Sequence, residues 1–144
     1  MKIYIGTDHA GFELKGKLIP FLKELGFEIV DKGAFELNND DDYPDFIKPV
    51  ALAVAEDEGS AGIIIGGSGQ GEAMCANRTK GIRTCEFYGG NLDVIKISRQ
   101  HNNANILSLG ARFINEVEAR EAVRIFLDTL FSDEERHIRR INKF

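Results

Sequence analysis

Residues 61–72 read AGIIIGGSGQGE. Three consecutive isoleucines without polar alternation suit a strand covered on both faces, so Ala61 to Ile65 predicts an interior strand of a parallel sheet. Four glycines in the six residues from Gly66 to Gly71 end that run, and a helix is expected from about Gln70 to Arg78. Strand, glycine turn and helix form half of a βαβ unit, which sets the rhythm for reading the rest of the chain.

Upstream, Lys2 to Thr7 (KIYIGT) reads as a strand. Leu14, Leu18, Phe21, Leu22 and Leu25 then recur at helical spacing until Gly26 stops them, and Phe27 to Asp31 is a second strand. Phe35 to Asp42 is a polar loop, followed by a helical stripe of Phe46, Ile47, Val50, Ala51, Val54 and Ala55 that ends at Gly59. Pro44 suits a first helical turn, whereas Pro49 predicts a kink or a later start, because proline lacks an N–H and crowds the preceding turn. Downstream come a strand Ile82 to Phe87, a helix from about Asn91 to Gln100 and a fifth strand Ile106 to Leu109. The longest helix is expected to bury Ala119, Ala122, Val123, Phe126, Leu127 and Leu130, and the chain ends in the basic stretch Arg136 to Lys143. Five strands, each followed by a helix, imply an α/β fold with a five-stranded parallel sheet, right-handed crossovers and helices on both faces. Ligands in such folds bind beyond the carboxyl ends of the strands, so the loops after strands one, three and five matter most.

The composition fits one domain over residues 1–144, with residues 132–144 as a C-terminal helical tail: 43% of residues are hydrophobic and 28% charged. A chain of this length buries roughly two-thirds of its unfolded surface and needs neither disulfide nor metal for a core. With 23 acidic against 18 basic residues and a formal charge of -5, a nucleic-acid partner is not expected. No apolar run approaches the roughly 20 residues of a membrane span, so no membrane is expected either. Only two cysteines, Cys75 and Cys85, and a start (MKIYIGTDHAG) without a signal-like apolar region point to the cytoplasm.

The amides of the glycine loop, around Gly67, Ser68, Gly69 and Gly71, can converge on an anion at a helix N-terminus. Neither GxxxxGK[ST] nor GxGxxG matches this loop, so a nucleotide cofactor is not supported. Glu72, in the first turn of the helix, is either a general base beside these donors or a complement to the helix dipole. Asp8 and His9 in the loop after strand one are candidate substrate ligands, and Tyr43 is a packing aromatic or a hydroxyl donor. His101, ending the fourth helix, is expected to point toward the same sheet edge, although a helix C-terminus also favours imidazolium for its own sake. Arg112 is placed for a phosphate. Arg136, His137, Arg139 and Arg140 form a solvated basic helix end or lend cations to a second subunit. Cys75 is expected to be inert.

Taken together, GTDHAG (6–11), DDDYP (40–44), GGSGQGE (66–72), SRQHNNAN (98–105), LGAR (109–112) and RHIRRI (136–141) resemble the ribose-5-phosphate isomerase B family, which also includes allose- and galactose-6-phosphate isomerases. The resemblance runs in order over essentially the whole chain. It implies a Rossmann-like αβα sandwich and a homodimer, or a tetramer, with sites shared between subunits. It also implies interconversion of ribose 5-phosphate and ribulose 5-phosphate with no metal and no cofactor. His101 then resembles the ring-opening histidine, and Asp8 and Tyr43 the groups around the sugar hydroxyls. His9, Arg112, Arg136 and Arg140 resemble phosphate ligands, with Arg136, His137 and Arg140 supplied by the neighbouring subunit. The Gly67 to Gly71 amides with Ser68 resemble the enediolate hole, and Asn102 the asparagine that follows the family histidine.

In one branch of the family a cysteine directly after strand three is the base; here that position is Gly66. The chain is instead similar to the branch in which a glutamate just past the glycine loop takes over, which is the place of Glu72. The implied chemistry has His101 open the furanose and Glu72 move a proton from C2 to C1, with the loop amides holding the cis-enediolate. The alternatives are a hexose-6-phosphate isomerase and a non-catalytic sugar-phosphate-binding module on the same scaffold.

Overall fold

A computed structural model describes all 144 residues. Strands β1 (Lys2–Thr7), β2 (Glu28–Asp31), β3 (Ala61–Gly66), β4 (Thr84–Phe87) and β5 (Ile106–Gly110) form one sheet in the order β2-β1-β3-β5-β4, every neighbouring pair parallel. The helices are α1 (Phe12–Glu24), α2 (Pro44–Glu56), α3 (Gln70–Ala76), α4 (Asp93–Asn102), α5 (Glu116–Asp128) and α6 (Glu135–Ile141). No helix is long and apolar enough to cross a membrane.

The isoleucines of β3 behave as an interior strand demands. Ile63 and Ile65 join Ile3, Ile5, Leu107 and Leu109 on one face, under α1, α4 and α5. Ile64 lies on the other face with Tyr4 and Ile106, against Ile47, Val50, Ala51 and Val54 of α2. Both faces are therefore covered, giving a three-layer αβα sandwich of Rossmann-like topology. The chain steps outward from β1 to β2 and returns to β3, so the strand order reverses between β1 and β3. Thr7 pairs with Ile65, and Gly66 with Gly110, so the loops after β1, β3 and β5 leave the sheet side by side.

Three expectations need correction. α2 does not start late: it begins at Pro44 and continues past Pro49 to Glu56, because the one bond Pro49 forgoes is to a carbonyl in the first turn while its apolar stripe stays packed on the sheet. The last helical face ends earlier than expected: α5 stops at Asp128 and Leu130 is 79% exposed. No single helix is longest, since α1, α2 and α5 each have 13 residues.

Candidate active site

Backbone and hydroxyl bonds tie the three loops at the carboxyl edge of the sheet into one surface. Thr7 donates from Oγ1 to the Ile65 carbonyl at 2.8 Å, fixing the end of β1 to β3. The carbonyls of Gly66 and Gly67 accept from the amides of Ala111 and Arg112 at 2.9 and 3.0 Å. Ser108, inside β5, donates to the Gly69 carbonyl at 2.6 Å. With these carbonyls engaged, the N–H groups of Gly67, Ser68 and Gly69 donate to no backbone carbonyl. Gly69, at φ +81°, takes the left-handed turn that starts α3.

The glycines also make room. A Cβ on Gly67 would lie 3.3 Å from the Arg112 guanidinium, and one on Gly71 would lie 2.9 Å from the Tyr43 hydroxyl. A Cβ on Gly66 would overlap the carboxyl group of Glu72, which fills the space a side chain at the end of β3 would take. Glu72 is 4% exposed. Burial is the main force raising its carboxyl above the usual 4.5; its own peptide N–H opposes this, and the charges of Asp8 and Glu86 add to it. The desolvation that a first-turn carboxylate needs to act as a base is therefore present.

Asp8 caps the short 3₁₀ turn at His9–Gly11, accepting from the Ala10 amide at 3.0 Å. His9 is held by Asp41, whose Oδ1 lies 2.6 Å from Nδ1 and accepts from the His9 backbone N–H at 3.1 Å. That hydrogen bond is the largest influence raising the imidazole above its ordinary 6.5; burial opposes it. Asp8, His9, Tyr43, Ser68, Glu72 and Arg112 converge on one open cleft of about 320 Å³ at the β1/β3 reversal.

His101 is not in this cleft, contrary to its expected position. A helix that returns the chain from β4 to a parallel β5 runs against the strands, so the C-terminus of α4 lies at the amino edge. There Arg83, just before β4, donates from Nε to the carbonyls of Asn102 and Asn103. The His101 ring stacks on His137 of α6 with centroids 4.3 Å apart and planes 14° from parallel. His137 is 3% exposed, and burial, followed by the charges of His101 and Arg136, lowers its imidazole below the ordinary range. Arg136 pairs with Glu134 at 2.8 Å. A larger cavity of about 680 Å³, lined by Thr84, Ser98, Asn102, Ile141 and Phe144, lies beside this group.

The expected site residues thus fall into two sets. One comprises Asp8, His9, Tyr43, the glycine loop, Glu72 and Arg112; the other comprises His101, Asn102 and the tail residues Arg136, His137 and Arg140. Between them lies a sheet whose strands are roughly 13–20 Å long.

Two supporting residues lie outside the motifs' expected site set. Lys15 is a buried cation whose Nζ lies 2.8 Å from both Asp31 carboxylate oxygens and 2.6 Å from the Ala34 carbonyl, anchoring the start of the loop that carries Asp41. The signal was available, because Lys15 shares its helical face with Leu18 and Leu22. Asp41 is the second of the three aspartates in DDDYP, and nothing in the motif distinguishes it from its neighbours.

A model of the ribose/galactose isomerase family matches residues 3–144. Ribose-5-phosphate isomerase B of Mycobacterium tuberculosis is 41% identical over 142 residues, which cover 99% of this chain and 86% of that protein. The crystal structure of ribose-5-phosphate isomerase B from Mycoplasma genitalium with bound ribulose-5-phosphate superposes with a TM-score of 0.93 at 38% identity, covering 99% of this chain and 92% of that one. The Thermotoga maritima ribose 5-phosphate isomerase structure gives a TM-score of 0.91 at 40% identity, covering 99% and 95%. With its switch-point cleft, its glycine loop and likeness over its full length, the chain belongs to the ribose/galactose isomerase family.

Proposed function

We propose that this protein is an aldose–ketose isomerase that interconverts ribose 5-phosphate and ribulose 5-phosphate through a cis-enediolate. The observation that carries the reading is the buried Glu72 carboxyl in the space above Gly66, beside loop amides that have no backbone acceptor. A carbon acid next to a carbonyl needs both groups: a base for the C2 proton, and donors for the oxygen on which negative charge develops. In the aldose-to-ketose direction Glu72 takes the proton from C2, and the C1 carbonyl becomes an enediolate oxygen held by the loop amides with Ser68. A proton moves between the two oxygens, and Glu72 returns its proton to C1. Asp8 and Tyr43 hold the sugar hydroxyls, while His9 and Arg112 hold the phosphate.

Ring opening is assigned to His101, which reaches a Glu72 cleft only if it comes from a second copy. The same copy would bring Asn102, Arg136, His137 and Arg140, so the functional unit is a homodimer, alone or as the building block of a tetramer. His137 enters this picture as the buried platform beneath His101 rather than as an open phosphate ligand.

The deciding experiment follows deuterium from solvent into ribulose 5-phosphate, with wild-type protein and Glu72→Gln. Wild type should wash the label in, and Glu72→Gln should lose about 10²–10⁴ of that rate. A wild-type protein that binds the sugar without exchange would be a binding module. Rates on ribose 5-phosphate, allose 6-phosphate and galactose 6-phosphate, measured side by side, fix the substrate, and His101→Asn should hurt cyclic substrates most.

A further inference from the structure

Resting on the proposed sugar-phosphate reading, we infer that Asp41 is a positioning residue for substrate binding: it ties back Nδ1 of His9 so that Nε2 remains as a charged donor for the phosphate. Three consecutive aspartates stand in this loop, and the fold treats them differently. Asp40 and Asp42 are exposed, whereas the Asp41 side chain is only 7% exposed. Its Oδ1 takes two bonds from one residue, from ring Nδ1 at 2.6 Å and from the backbone N–H of His9 at 3.1 Å. Its Oδ2 is buried without a hydrogen-bond partner. Such an arrangement costs desolvation that a loop anchor alone does not require, since a neutral asparagine would accept the same two bonds.

The charge explains the choice. A phosphate dianion binds an imidazolium through a charge-assisted bond and a neutral imidazole only through its one N–H. The groups that face His9 are Asp8 from the turn after β1, Asp41 from the β2–α2 loop and Arg112 from the β5–α5 loop. Arg112 works against a second positive charge, and Asp41 offsets it. The carboxylate accepts the Nδ1 proton on the side away from Nε2, so it holds the ring orientation and favours the doubly protonated imidazolium, whose Nε2–H is left for the ligand; in the neutral ring the one N–H would stay on Nδ1. Phosphate recognition here is a relay of two charges rather than a single basic side chain.

Asp41→Asn and Asp41→Ala separate this role from loop anchoring. In Asp41→Asn both hydrogen bonds can persist and only the charge is lost. The His9 imidazole, followed by long-range ¹H–¹⁵N NMR and identified with a His9→Gln control, should then titrate at lower pH. KM for ribose 5-phosphate should rise about tenfold at pH 8 and less than about twofold at pH 6, with kcat nearly constant. Asp41→Ala, which also frees the ring, should raise KM at both pH values. Unchanged His9 titration together with unchanged KM in Asp41→Asn would make Asp41 an anchor only and overturn the inference. If Asp41→Ala fails to fold, Asp41→Asn carries the test alone. If the wild type turns over no sugar phosphate, the functional reading fails separately. Binding of inorganic phosphate to wild type and Asp41→Asn at the two pH values still decides the role of Asp41: weakening confined to pH 8 supports it, and equal affinity rejects it.

Discussion

Replacing Gly66 by alanine adds one methyl group and should disable the site through another residue. Gly66 ends β3 in ordinary strand conformation and is buried, so its backbone tolerates alanine. The new Cβ, however, would sit on the carboxyl carbon and both oxygens of Glu72. Carbon atoms settle about 3.5–4.0 Å apart, so the carboxyl must retreat by more than about 1 Å. A displacement of that size costs about 100-fold in rate when the group transfers a proton, and the crowding costs about 1–3 kcal/mol of stability. His9 and Arg112 are untouched, so KM should change little. Initial rates of ribulose 5-phosphate formation give kcat and KM, and thermal unfolding confirms that the variant is folded. The combination Gly66→Ala/Glu72→Gln is the critical control. If alanine acts only by moving Glu72, the double variant is no worse than Glu72→Gln alone. A folded Gly66→Ala with wild-type kcat, or a double variant whose loss is the product of the two single losses, would refute this reasoning.

The raised carboxyl of Glu72 makes two further predictions. The acid limb of kcat/KM should fall at a pH above 4.5, since the base must be ionised. Because burial raises the folded-state value above the unfolded one, the stability contributed by the protonated form is complete below the unfolded value and lost as pH rises through the folded one. Glu72→Gln should therefore melt higher than wild type at pH 7 and equally near pH 4. Mixing Glu72→Gln with His101→Asn, once subunits exchange, should restore activity at about a quarter of the sites by random pairing of a symmetric dimer; proven exchange without recovery would count against the shared arrangement. Cys75→Ser should be nearly silent in kcat/KM, since burial raises its thiol and no site residue bonds to it.

Much of the fold was legible because local signals agreed with the global one. The isoleucine run of β3 called for two covering layers, and Gly26 ended α1 with φ +87° as a helix stop should. Pro49 hides the true start of α2, because its propensity penalty takes no account of the packing of the α2 stripe, which outweighs one missing bond. The carboxyl-edge half of the site could be read from strand ends, since a strand end fixes where the following loop begins. The place of His101 is illegible for a directional reason: a motif leading into β5 suggests the far end of β5, whereas the returning helix delivers it to the near end. Two features needed three dimensions. Nothing in GGSGQGE says that the missing side chain of Gly66 is replaced in space by a carboxyl six residues later, and nothing in DDDYP says which aspartate turns inward.

The separation of Glu72 and His101 onto opposite edges of the sheet has a kinetic signature. In a shared-site assembly no isolated chain holds a whole site, so specific activity becomes a function of dilution. Far below the dissociation constant of the pair, total activity falls with the square of chain concentration rather than in proportion to it. Turnover assays on this protein would then report association as well as chemistry, and a progress curve that lags after dilute stock is added to concentrated assay mix would time the meeting of two chains.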